Sequence, residues 1–166
     1  MENRGLVIVH TGDGKGKTTA ALGMAMRAWG NHLRVLILQS IKALASINHQ
    51  IEIRQGGLGF SQRGNGTEEE HRCAAAELLQ TAMDELQSNA WDMIILDEFN
   101  YAYSFGFISL DNLEKLLAAR PEKTHLIFTG RNAAQELIAH ADLVTEMRLV
   151  KHPFQQGIKA QKGIEF

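Results

Sequence analysis

Cysteine is almost absent from this sequence: Cys73 stands alone among 166 residues. A single thiol builds neither a disulfide framework nor a multi-thiolate metal site, so the expected compartment is a reducing cytoplasm. No stretch of about eighteen apolar residues occurs that would cross a bilayer. Met1 to Gly5 run straight into a short apolar segment without the long apolar core of a secretory signal. Neither export nor a membrane span is expected. Positive charge is not in excess either. With 17 basic against 19 acidic residues the formal net charge is −2, which gives no general attraction to nucleic acid or to an anionic membrane. No basic, aromatic-rich surface segment stands out, so nucleic acid is not an expected partner. Any cationic site must be local.

Apolar residues make up 45% of the chain and charged ones 22%, with only two prolines, the balance of an ordinary globular protein. Residues 1–166 have the length of one domain, long enough to bury roughly two-thirds of the unfolded surface. Cys73 lies in a helical pattern and reads as a buried or half-buried structural thiol.

Along the chain, Leu6 to His10 is a β-branched run ending in a glycine-rich turn, and Thr18 to Trp29 then carries apolar residues at helical spacing. Leu33 to Gln39 is a near-continuous apolar strand of the kind covered on both faces of a parallel sheet. A weaker strand is expected at Gln50 to Arg54, followed by a glycine-rich binding loop from Gln55 to Gly66. Thr67 with Glu70 three residues on is a capping box opening a helix to about Ser88. Strands follow at Met93 to Leu96, His125 to Thr129 and Leu143 to Leu149, with helices at Leu110 to Ala119 and Ala133 to His140. This order predicts a three-layer α/β fold with a mainly parallel central sheet and ligands at the carboxyl ends of its strands, and the phosphate-loop motif from Gly12 to Thr19 makes it the P-loop NTPase type.

The segment Gly12, Asp13, Gly14, Lys15, Gly16, Lys17, Thr18, Thr19 follows a strand and opens a helix. In that context glycines let successive N–H groups converge on a phosphate, Lys17 adds a positive charge, and Thr18 offers a hydroxyl to Mg²⁺. A Mg²⁺-nucleotide such as ATP is the implied ligand. The usual spacing places a glycine five residues before Gly16; that position is Thr11, and the glycine has moved to Gly12. Asp97 and Glu98 end an apolar strand, where a metal-linked acid of a P-loop enzyme belongs. Thr129, Gly130 and Arg131 end a later strand on the same edge, so Arg131 either reaches a phosphate or caps a turn.

With Thr11 to Ala21, Arg27-Ala28, Leu96 to Glu98, Thr129 to Arg131 and the tail Val150 to Phe166 taken together, the sequence resembles the P-loop family of ATP:corrinoid adenosyltransferases, also called cob(I)yrinic acid a,c-diamide or cob(I)alamin adenosyltransferases. The tail is the most specific part, because generic P-loop enzymes do not share it. The resemblance implies transfer of the 5′-deoxyadenosyl group from ATP to a Co(I) corrinoid with release of tripolyphosphate. It implies a nucleotide lying reversed in the loop, an electron-donating reductase as partner, and a homodimer. Thr18 and Glu98 match the Mg²⁺ positions, with Asp97 the supporting carboxylate. Lys15, Lys17 and Arg27 are the cations suited to a charged leaving group. Phe60 matches an aromatic residue that packs on the lower corrin face, whereas Gln62 stands where relatives commonly carry tryptophan, and the connection from Ile41 to Gln50 is short and lacks aromatics. Phe60 as a plain core residue remains the other reading.

Two rivals explain part of this pattern. A P-loop kinase or ATPase accounts for the loop and the Asp97-Glu98 pair, but not for the tail, and the Lys42 to Gly66 region has only Arg54 and Arg63 to offer as an arginine lid. An inactive corrinoid- or nucleotide-binding module accounts for the change at Gln62.

Overall fold

The computed structural model describes residues 4–39, 50–56, 67–161 and 163–164. Six strands, β1 (Val7–Thr11), β2 (Val35–Gln39), β3 (Ile51–Gln55), β4 (Met93–Asp97), β5 (His125–Thr129) and β6 (Leu143–Glu146), form one sheet in the order β3-β2-β4-β5-β1-β6. Every pairing is parallel, so the sheet is more uniform than the expected mainly parallel one. The helices are α1 (Lys17–Trp29), α2 (Glu68–Gln87), α3 (Phe99–Ser104), α4 (Leu110–Ala119) and α5 (Gln135–His140), and a 3₁₀ turn covers Pro153–Gln156.

The placement of helices follows from the handedness of crossovers. From β1 the chain crosses through α1 to β2 and β3 on one side of the sheet, then returns through β4 and β5 and passes β1 to reach β6. Parallel crossovers are right-handed, so reversing direction in the sheet puts the connecting helix on the opposite face. Accordingly α1 packs Ala21, Ala25 and Ala28 against Ile8, Ile37, Ile95 and Ile127 on one face. Leu78 and Leu86 of α2, Leu113 and Leu116 of α4, and Leu137 of α5 cover Val7, Val9, Leu36, Leu96 and Phe128 on the other. Strand residues alternate between these two layers, which is why the strands read as continuous apolar runs. Each fully buried Leu, Ile or Phe contributes about 1.5–3 kcal/mol. The small alanine face of α1 lets the helix, and with it the loop at its N-terminus, sit close to the sheet.

The capping box of α2 forms as expected: the Glu70 N–H donates to Thr67 Oγ1 at 3.2 Å and the Thr67 N–H to Glu70 Oε2 at 2.6 Å. Other expectations need correction. Cys73 is exposed, because α2 turns Ala74, Ala75, Leu78 and Leu79 to the core and leaves residue 73 on the far side. The helix expected from Ala133 begins at Gln135, since Ala134 is extended. The last strand ends at Glu146 rather than Leu149, because the chain leaves the sheet there to cross the loop after β1. The short α3 and the 3₁₀ turn had no counterpart in the sequence reading. No helix among the described residues is long and apolar enough to cross a membrane.

Candidate active site at the carboxyl edge of the sheet

The four neighbouring strands β4, β5, β1 and β6 all end at one edge, and the segments that follow them meet there. Thr11 is the last residue of β1, and its hydroxyl accepts the Ala133 N–H at 3.1 Å, tying down the segment after β5. A strand residue thus occupies the position that usual P-loop spacing gives to glycine. Gly12 carries the positive φ of +96° instead, and a Cβ there would lie 2.5 Å from the Met147 carbonyl oxygen. At Gly14 the same oxygen would be 2.6 Å away. The Met147 N–H donates to Thr11 O at 2.8 Å and the Gly14 N–H to Met147 O at 2.6 Å. The displaced glycine is therefore the consequence of a clamp: the chain beyond β6 is bonded to the loop itself.

Gly16, at φ +108°, opens α1 with no side-chain cap. The first-turn N–H groups and the positive end of the helix dipole thus remain available to an anion. The Lys17 ammonium donates to Gly12 O and Gly14 O, both at 2.7 Å, bracing the curl of the loop. Burial pushes its pKa down from 10.5, opposed in part by the Glu98 carboxylate.

Asp97 organises the acidic side. Its Oδ1 accepts the Thr18 hydroxyl at 2.8 Å and the buried Thr129 hydroxyl at 2.6 Å, and Gln39 Nε2 donates to Oδ2 at 3.3 Å. The Thr129 hydroxyl in turn accepts the Glu98 N–H at 2.9 Å. Glu98 sits at φ +61°, a left-handed conformation that turns the chain sharply from β4 into α3. Its carboxylate accepts no hydrogen bond from a described residue. Burial first, then the adjacent Asp97 charge, raise its pKa above 4.5, while Lys17 and Arg131 pull the other way.

This donor set fits a small hard cation. Thr18 spends its proton on Asp97 and keeps its lone pairs, and Glu98 is an acid held near the loop without a hydrogen-bond donor among the described residues. No three His, Cys, Asp or Glu side chains among the described residues group into a self-sufficient metal site. Mg²⁺ does not need one, because it takes one or two carboxylates, substrate phosphates and waters.

Asp13, Gly14, Lys15, Gly16, Lys17, Thr18, Thr19, Glu98 and Arg131 line one open cleft of about 820 Å³. Arg131 Nε lies 4.0 Å from Asp13 Oδ1, which puts its guanidinium at the mouth of the loop. Gly12 forms the base of the loop rather than the wall. Arg27 does not join them: it is exposed in the last turn of α1, ten residues and so about 15 Å along the helix from Lys17. Within one chain Arg27 therefore stands apart from the cleft lining. Phe60, Gln62 and the segment from Ile41 to His49 lie outside the described residues. Arg148, Lys151 and His152, to which no motif in the sequence gives an individual role, also line the cleft, together with Leu149, Val150, Pro153 and Ile164.

The family model described as ATP:corrinoid adenosyltransferase BtuR/CobO/CobP matches residues 3–166. A corrinoid adenosyltransferase of Pseudomonas aeruginosa is 39% identical over 173 residues, covering 99% of this chain and 85% of that protein. One from Escherichia coli K12 is 36% identical over 172 residues, with 100% and 88% covered. Corrinoid adenosyltransferase CobA of Salmonella typhimurium is 36% identical over the same shares.

Proposed function

The chain belongs to the ATP:corrinoid adenosyltransferase family, and we propose that the cleft between the loop after β1, Glu98 and the segment after β6 carries out that reaction. It transfers the adenosyl group of ATP to a corrinoid. In the reading put forward here, Co(I) attacks the 5′-carbon of ATP, a Co–C bond forms, the C5′–O bond breaks, and tripolyphosphate leaves with the electron pair. The nucleophile needs no general base, so the protein's part is positioning and charge. The first turn of α1, Lys17 and Lys15 hold the triphosphate, and Arg131 closes on it from β5. Thr18 and Glu98 would hold Mg²⁺, which when bound neutralises charge on the phosphates, and Asp97 fixes the Thr18 hydroxyl. The observation that carries this reading is the convergence of loop, acid and cation from four adjacent strands on one cleft.

The test is the product. With MgATP and chemically reduced Co(I) corrinoid, the expected outcome is one adenosylated corrinoid and one tripolyphosphate per ATP consumed, read by absorbance and by phosphorus NMR. ADP and phosphate in their place would mark a kinase or ATPase.

Because Co(I) must be supplied by reduction, an electron-donating reductase belongs to the reading, and a cytoplasmic location agrees with a lone, exposed thiol. A homodimer is supported by the apolar surface on the β6 side. Leu143 and Val144 are exposed on an edge strand, and Phe154, outside the cleft lining, stands 74% exposed beyond it. Light scattering is expected to give a mass near 37 kDa, about twice the 18.4 kDa chain; a monomer across micromolar concentrations would remove the dimer from the reading.

A further inference from the structure

The tail beyond β6 contributes seven of the sixteen residues that line the cleft, and no phosphate-loop motif accounts for them. It is not loosely draped there: the Met147 backbone is bonded on both sides to the loop, through Thr11 O and the Gly14 N–H. Arg148, Lys151 and His152 follow closely and line the same cleft as Lys15, Lys17 and Arg131. His152 Nδ1 accepts the Phe154 N–H at 3.1 Å, so in the neutral ring the proton sits on Nε2 and that nitrogen is a donor. Five cationic side chains and the two carboxylates of Asp13 and Glu98 line the cleft. That is a local excess of three positive charges on a chain whose formal net charge is −2.

The loop and the first turn of α1 have N–H groups for about two phosphates, and the Gly14 N–H is already spent on Met147. A linear triphosphate is longer and carries more charge than that cradle matches. We propose that Arg148, Lys151 and His152 form a second phosphate subsite. It holds the phosphate that the loop cradle does not match and retains the released linear tripolyphosphate. This rests on the adenosyl-transfer reading, since only cleavage at the 5′-carbon frees an intact triphosphate. The subsite raises affinity for the leaving group as charge develops on it, and couples product release to the tail.

Inorganic tripolyphosphate and pyrophosphate, each with Mg²⁺, are the probes, with binding measured by calorimetry on the full chain. The wild type is expected to prefer tripolyphosphate. The double variant Arg148→Ala/Lys151→Ala should bind tripolyphosphate about tenfold more weakly, the scale of two exposed charge contacts, with pyrophosphate little changed. In turnover, KM for ATP should rise with the same ratio. Lys159→Ala, a basic tail residue outside the cleft, is the control. Unaltered tripolyphosphate affinity in a folded double variant overturns the proposal, as does an equal loss in Lys159→Ala, which would mean diffuse attraction to a basic tail. Because the binding arm contains no corrinoid, it stands apart from the reaction. A wild type that adenosylates corrinoid while the double variant binds tripolyphosphate normally defeats the subsite alone. A wild type that yields ADP defeats the reaction alone, and the binding comparison still decides the subsite.

Discussion

Lys17→Ala is expected to lower kcat/KM for ATP by about 10²–10³, the cost of removing one preorganised charge donor from a developing anion. Its Tm should stay within about 4 °C of the wild type. The two effects separate because Lys17 is nearly buried yet belongs to the loop rather than to either apolar layer. Burying an ammonium costs desolvation, and the two carbonyl bonds to Gly12 O and Gly14 O return most of it, so the net change in stability is small. Lys17→Arg should fail as well. The guanidinium is broader than the ammonium and is aimed into a curl only wide enough for a point donor bonded to both carbonyls at 2.7 Å. Steady-state kinetics and thermal melts on both variants check this. Turnover within tenfold of wild type in Lys17→Ala would remove the loop from the leaving-group role.

The phosphate loop was legible because its chemistry is local. Glycines, lysine and threonine at fixed spacing must lie between a strand and a helix, and the apolar runs on either side said as much. The capping box at Thr67 and Glu70 was legible for the same reason: both partners are three residues apart. The sheet's strands were readable from continuous apolar runs, though not the reversal of direction that puts α1 on the face opposite α2, α4 and α5.

What the sequence concealed depends on distant contacts. Cys73 sits in a helical pattern that names no core face until Ala74, Ala75 and Leu78 are seen against the sheet. The short α3 has no cap signal, since its start is set by the left-handed turn at Glu98. The tail has no periodicity, and its place is fixed by Met147 against Gly12 and Gly14, far off in sequence. One sign of that clamp was present. The shift of glycine from position 11 to position 12 marks where β1 runs one residue longer and where another backbone passes too close for a side chain. Helical spacing carries Arg27 about 15 Å along α1 from Lys17.

Glu98→Gln is expected to abolish Mg²⁺-dependent turnover, by about 10² or more, and at the same time to leave the metal-free protein as stable as the wild type or more so. The carboxylate is partly buried beside Asp97 and accepts no hydrogen bond from a described residue, so its charge is a cost to the fold. Since burial and Asp97 raise its pKa above 4.5, the folded protein holds the proton more tightly than the unfolded chain does. The associated stability is therefore present below pH 4.5 and is lost as pH rises through the raised pKa. The wild type should lose this increment and Glu98→Gln should not, so the difference in Tm opens as pH rises and then levels off. Added Mg²⁺ nucleotide should reverse the order, because it binds the ionised carboxylate of the wild type and stabilises only that form. Asp97→Ala should behave in the contrary manner. It strands the Thr18 and Thr129 hydroxyls, one of them fully buried, at a cost of about 1–3 kcal/mol for each buried group left unpaired. Thermal melts from pH 4 to pH 8, with and without MgATP, distinguish the two acids. A lower metal-free Tm in Glu98→Gln than in wild type at pH 7 would make Glu98 a structural residue and leave Asp97 as the acid nearest the metal.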